Sequence, residues 1–128
     1  MKFIPHDLDA LSPAPEVGVT LSNEDDVLTL RPEVHRLDLI TLHFPKWTDG
    51  RAYSQARLLR SRLRYTGALR ATGDVCVDML PLLRRTGFDE VQLAPGESPE
   101  VARRVLQLQP APYQAYDQAF EQALERAA

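Results

Sequence analysis

Between Lys46 and Arg51 the chain sets an ammonium, an indole, a carboxylate and a guanidinium side by side, in the run Lys46-Trp47-Thr48-Asp49-Gly50-Arg51. Lys46 and Arg51 are the cations that could grip an oxyanion, Arg51 through a planar two-donor fork. Asp49-Gly50 is a turn dipeptide. Tyr53, Ser54 and Arg57 follow at the start of a predicted helix, whose first-turn amides would add donors. Asp74 joins the set from further along, with Asp78 four residues beyond it. If the chain does acid–base chemistry, Asp49, Tyr53 or Asp74 is the group that does it. Structural roles compete at each position. Asp49 can cap the helix or pair with Arg51, Trp47 can plug the core, Tyr53 can pack, and Asp74 has the type and position of a helix N-cap. Cys76 falls in a predicted first helical turn, where a thiolate is favoured, but on an apolar face that points to packing. His43 alternates with apolar neighbours in a predicted strand. His6 and His35 carry no context.

The elements that would position these residues alternate in type. Val17–Leu21 reads as a short strand, and Val27–Leu30 as a second strand or a short helical start. Leu37–Phe44 is apolar and β-rich, and Tyr53–Arg64 carries Ala56, Leu59 and Leu63 at helical spacing. Ala68–Ala71 is a strand, followed by a helix from Asp74 that Gly87 stops. Glu90–Leu93 is the next strand. Ser98-Pro99 opens another helix, with Ser as cap and Pro at the first helical position. A last helix follows Pro112, with Tyr113, Tyr116, Phe120 and Leu124 on one stripe. The expected fold is therefore α/β: three consecutive βα units with a small parallel sheet, short N-terminal strands and a C-terminal helix. Residues 1–15, with Pro5, Pro13 and Pro15, read as an irregular lead to a single domain over 16–128. In such folds ligands gather where strands end. That places Phe44–Arg51, Thr72–Asp74 and Ala94–Ser98 on one edge. Sequential βα units put their helices on one sheet face, so a homodimer is expected to cover the other; the competing reading is a monomer in which the last helix folds back over it.

Composition narrows the function. The 128 residues suit one domain, and no apolar run approaches the length of a membrane span. The N-terminus lacks the apolar stretch of a secretion signal, which fits a cytoplasmic protein. One cysteine excludes an internal disulfide and an iron–sulfur cluster built by this chain alone, and the three histidines lack metal-ligand spacing. No nucleotide-binding or other cofactor motif occurs, so neither a cofactor nor a metal is expected. Residues 46–85 carry nine basic and three acidic groups between two acidic ends, within a net charge of −3. The overall acidity, and the lack of a basic–aromatic pattern, argue against nucleic acid as a partner.

Three stretches together resemble a known family: Phe44–Leu63 (FPKWTDGRAYSQARLLRSRL), Arg70–Val75 (RATGDV) with Asp78, and Arg84–Leu93 (RRTGFDEVQL). They resemble a small bacterial family of unknown function, over roughly Val17 to Tyr113. Its members are often encoded beside assimilatory sulfite reductase and carry the label of an oxidoreductase involved in sulfite reduction. Trp47 stands where the family pattern has Phe, Ala52 where it has Gly, and Cys76-Val77 where it has Leu-Arg. The resemblance implies an accessory protein of sulfur assimilation that binds sulfite reductase or a small oxyanion at the Phe44–Arg51 loop. The alternative is a small anion-using enzyme, with Lys46 and Arg51 holding the oxyanion.

Overall fold

The computed structural model describes residues 1–5 and 17–108. His6, most of the N-terminal lead and the stripe from Tyr113 to Leu124 lie outside the described residues. Five strands form one sheet: β1 (Lys2–Phe3), β2 (Gly18–Leu21), β3 (Leu39–Phe44), β4 (Ala68–Gly73) and β5 (Glu90–Val91). Their spatial order is β1-β5-β4-β3-β2 and every pairing is parallel. The expected α/β class and parallel sheet are found. The strand at Lys2–Phe3 falls within the segment expected to be an irregular lead. Two residues are too short to show alternation, and β1 exists because Lys2 N and Ile4 N donate to Asp89 O and Val91 O at 2.8 Å.

Strand periodicity divides the sheet into two unlike faces. Ile40, Leu42 and Phe44 of β3, Leu69 and Ala71 of β4, and Val91 of β5 are fully buried on one face. All described helices pack there: α1 (Arg51–Arg57), α2 (Leu80–Arg85) and α3 (Pro99–Gln107), through Ala52, Ala56, Leu80, Leu83 and Ala102. The sequential order of β2 to β5, with helices on one side, is what the crossover rule requires. The second face carries Thr41, His43, Arg70, Thr72, Glu90 and Lys2, with Leu39 and Ala68 as its apolar members. Arg70 Nη2 donates to Glu90 Oε1 at 2.8 Å across neighbouring strands. The face that a homodimer is expected to cover is thus mainly polar among the described residues.

Local signals succeed and fail for identifiable reasons. Val27–Leu30 settles as a 3₁₀ turn capped by Asp26, whose Oδ1 accepts from Leu28 N at 3.0 Å. Ser98 caps α3 as its type predicts, accepting from Val101 N, with Pro99 in the first turn. Gly87 ends α2 with φ 104, a conformation that costs a side chain strain but glycine little. The predicted long helix after the 44–51 loop is α-helical only to Arg57. Leu58–Arg62 then forms a π-turn, with Leu63 N bonded to Leu58 O at 3.0 Å. This wider turn keeps both Leu59 and Leu63 buried and sends Arg60 to the edge where the strands begin.

There Arg60 joins three chain segments. Its Nη1 donates to Tyr65 O (2.9 Å) and Gly67 O (2.8 Å), which lead into β4. Nε and Nη2 donate to Gly87 O at 3.1 and 2.7 Å, and Nη2 pairs with Asp89 Oδ2 at 2.7 Å, ahead of β5. Asp89 Oδ2 also accepts from Leu69 N at 3.0 Å. Removing this guanidinium would strand several carbonyls and one carboxylate. Arg60→Ala is therefore expected to lower stability by about 3 kcal/mol, read from the urea midpoint. A loss below about 0.5 kcal/mol would show that water replaces these contacts without penalty.

Candidate functional site

The carboxyl ends of β3 and β4 lie side by side, because Phe44 pairs with Gly73 in the parallel register. The two loops that leave them are tied together. Gly73 turns the chain with φ 96, and a side chain there would overlap the Phe44 carbonyl oxygen and the His43 ring. Asp74 N then donates to Phe44 O at 2.8 Å, and Asp74 Oδ2 accepts from Trp47 N at 2.9 Å. Asp74 is therefore not the N-cap expected from sequence. The tight turn at Gly73–Val75 uses it, and the next helical turn starts only at Val77, with Cys76 in the cap position. The signal for this role was topological: adjacent parallel strands bring their exit loops within reach, at a separation of 27 residues.

Trp47 is 58% exposed, so it is presented to solvent and does not plug the core. Behind it the loop is braced by charge. Asp49 accepts from Arg51 Nη2 at 2.8 Å and from Arg51 Nε at 3.1 and 3.2 Å, one bond to each carboxylate oxygen. It also accepts from the Arg51 amide (3.1 Å) and from Asn23 Nδ2 (2.6 Å), which fastens the loop to the turn after β2. Of the two competing structural roles of Asp49, pairing with Arg51 is filled, whereas the cap position of α1 belongs to Gly50. Arg51 beside it holds the Asp49 carboxyl down at about 2, through its side-chain and then its backbone hydrogen bonds. Gln55 adds a second tie, donating to Ser22 O and Asp25 O at 2.8 and 2.9 Å. Nothing in the sequence singled out Asn23 or Gln55, since each acts only through a segment about thirty residues away.

The other sequence candidates separate. Lys46 and Ser54 are exposed, Lys46 on the loop and Ser54 in the first turn of α1. Among the described residues Lys46 has no ion pair. Tyr53 is half-buried, its ring edge-on to Phe44 at 5.1 Å. Burial pushes its phenol up to about 12, with Cys76 adding to the shift. At neutral pH Tyr53 is thus a proton donor and not a base. Arg57 lies six residues beyond Arg51, about 9 Å along the helix at 1.5 Å per residue. His43 stands exposed on the polar sheet face, 3.5 Å from Thr72 Oγ1. Cys76 is half-buried against the core, as a packing residue would be. Among the described residues no group of three or more His, Cys, Asp or Glu is placed to hold a metal ion, and no helix is long and apolar enough to cross a membrane.

Two titrations follow. A phenol whose folded pKa is raised contributes stability that is complete below the unfolded value of 10 and is lost towards 12. The late phase of the ultraviolet phenolate titration, near pH 12, is expected to vanish in Tyr53→Phe. A carboxyl whose folded pKa is depressed contributes stability above its unfolded value of 3.8 that is lost as pH falls towards 2. Carbon-detected NMR should place the Asp49 midpoint near 2, returning towards 3.8 in Arg51→Ala. A wild-type midpoint near 3.8 would mean that the Asp49–Arg51 fork does not persist in solution.

Among curated proteins none matches the chain. A family model does, over residues 18–123, which spans β2 to β5, all three helices and the tied loops. The chain belongs to the family described as bacterial protein of unknown function (DUF934).

Proposed function

We propose that this chain is an accessory protein of assimilatory sulfite reduction, acting in the cytoplasm, that docks on the sulfite reductase through the Phe44–Arg51 loop. One observation carries the docking reading: Trp47 is 58% exposed on a loop whose amide is held by Asp74. Exposed aromatics on a prearranged backbone are the usual anchors of protein interfaces. The pathway rests on the resemblance of the F-P-x-aromatic-T-D-G-R stretch to proteins encoded beside that reductase. The oxyanion limb has less support. The Arg51 fork is already taken by Asp49, and the carboxylates Glu24, Asp25, Asp49 and Asp74 on this edge outnumber Lys46 and Arg51. With immobilised protein as bait, purified sulfite reductase is expected to be retained, and Trp47→Ala to weaken retention about tenfold or more. Equal retention by wild type and variant would remove the loop from the interface. No retention, together with normal growth of a deletion strain on sulfate, would end the pathway reading.

The alternative, a small anion-using enzyme, is favoured by the protonated Tyr53 beside the exposed Lys46 loop. A thermal-shift screen with sulfite, sulfate and phosphate tests it. Stabilisation that Lys46→Ala/Arg51→Ala abolishes would support this reading over docking. Self-association belongs to the proposal as well. Its support is the exposed pair Val101 and Leu108, seven residues apart on and just beyond α3. Light scattering across a dilution series should give twice 14.4 kDa, and 14.4 kDa at every concentration would exclude a dimer.

A further inference from the structure

Chain connectivity makes a demand on the second sheet face. β1 and β2 are the two edge strands, at opposite ends of the order β1-β5-β4-β3-β2, and residues 6–16 join them. The described chain leaves β1 at Pro5, where strands end, and resumes at Val17, where β2 begins. Both ends are fixed: Gln92 Nε2 donates to Pro5 O at 3.2 Å, and Asp38 N donates to Val17 O at 2.7 Å. Four strand spacings of about 4.8 Å separate them across the sheet, roughly 19 Å. Pro5 stands two residues past the row of Phe3, Val91, Ala71, Leu42 and Leu21, and Val17 four residues before it. That is roughly 20 Å along the strands, and roughly 28 Å on the diagonal. The chain from Pro5 to Val17 spans at most about 40 Å when fully extended. A route outside the helices adds two passages through a layer about 10–12 Å thick and exceeds that reach. The diagonal across the second face is within reach, with slack.

Burial on that face follows the same diagonal. Ile4 continues the alternation of β1 onto it, and is 7% exposed although it stands outside the helix-side core. Glu90 is 9% and Thr41 8% exposed, with the Arg70 side chain between them at 15%. Among the described residues no helix packs there. Off the diagonal, Lys2, Thr20 and His43 are exposed on the same face. Position in the sheet does not separate the two sets, because Ile4 is buried beside an edge strand and His43 is exposed on an inner one. We propose that residues 6–16 lie across the second sheet face, from Ile4 over Glu90 and Arg70 to Thr41, and are its occupant in place of a second copy. Leu8 and Leu11 among Asp7, Asp9 and Ser12 suit a face of mixed polarity. A homodimer then has to meet elsewhere, and Val101 and Leu108 stay available for it on the helix side. The identity of the Trp47 partner has no bearing on this assignment.

Nuclear Overhauser spectroscopy of the unaltered, isotope-labelled chain tests it. The methyl groups of Ile4 and Thr41 are expected to show contacts to side chains of residues 6–16 within the same molecule. Contacts to residues 109–128 instead would overturn the proposal and give the face to the C-terminal segment. Contacts seen only between labelled and unlabelled copies in a mixed sample would overturn it in favour of a dimer, and the absence of any contact would overturn it outright. Cross-linking gives a second reading in a Cys76→Ala chain. Thr41→Cys/Ala14→Cys is expected to close a disulfide within one molecule, since bridging needs Cβ atoms about 3.5–4.5 Å apart. Ser54→Cys/Ala14→Cys, with Ser54 exposed on α1, is expected to stay reduced. The reverse pattern would place the segment over the helices and overturn the proposal. Should the cysteine variants fail to fold, the spectra of the unaltered chain decide.

Discussion

The parallel pairing of β3 with β4, six residues in register from Leu39–Ala68 to Phe44–Gly73, is the constraint from which the rest follows. Parallel neighbours need a return crossing, and the crossings from β2 to β5 are helical segments laid on the same sheet face. Strand ends then share one edge and strand starts the other. Asp74 can reach Trp47 only because both loops leave the sheet together, and Arg60 can reach Gly67 and Gly87 only because both loops enter it together. The division of charge between the two edges has the same origin, since helix ends that favour cations all face one way.

Much of this was legible in the sequence. The run Leu37–Phe44 is apolar and β-rich enough to mark a strand, found at Leu39–Phe44, and Ser98-Pro99 marks a helix start that the structure reproduces. The edge holding the 44–51 loop also followed from topology. What was not legible depended on partners distant in sequence. Asp74 has the local signature of a cap, but an amide 27 residues earlier competes for its carboxylate and wins. Trp47 is apolar enough for a core, yet it lies on the surface while Phe44 packs its ring against both Tyr53 and Phe88. The basic middle of the sequence does not itself say which edge of the sheet holds its charge. Helix direction carried most of those arginines to the opposite edge.

The two sheet faces show how little an apolar fraction alone reveals. Each buried strand residue on the helix side is matched by a polar neighbour on the other, so the strands alternate where a sheet covered on both sides would read as continuously apolar. Glu90 shows the result most clearly. It is 9% exposed and hydrogen-bonded to Arg70, an ion pair set into a sheet surface and not at its rim.

The closeness of Gly73 to the Phe44 carbonyl bears on how Trp47 meets anything at all. With Asp74 holding the Trp47 amide and Asp49 fastened to Asn23, the backbone on both sides of the indole is ordered before any encounter. Association there would spend conformational entropy on the indole rotamer, about 0.5–1.5 kcal/mol for an immobilised side chain, and little on the loop. A surface of this kind can form short-lived complexes at modest contact area, because little of the interaction energy is consumed in ordering the chain.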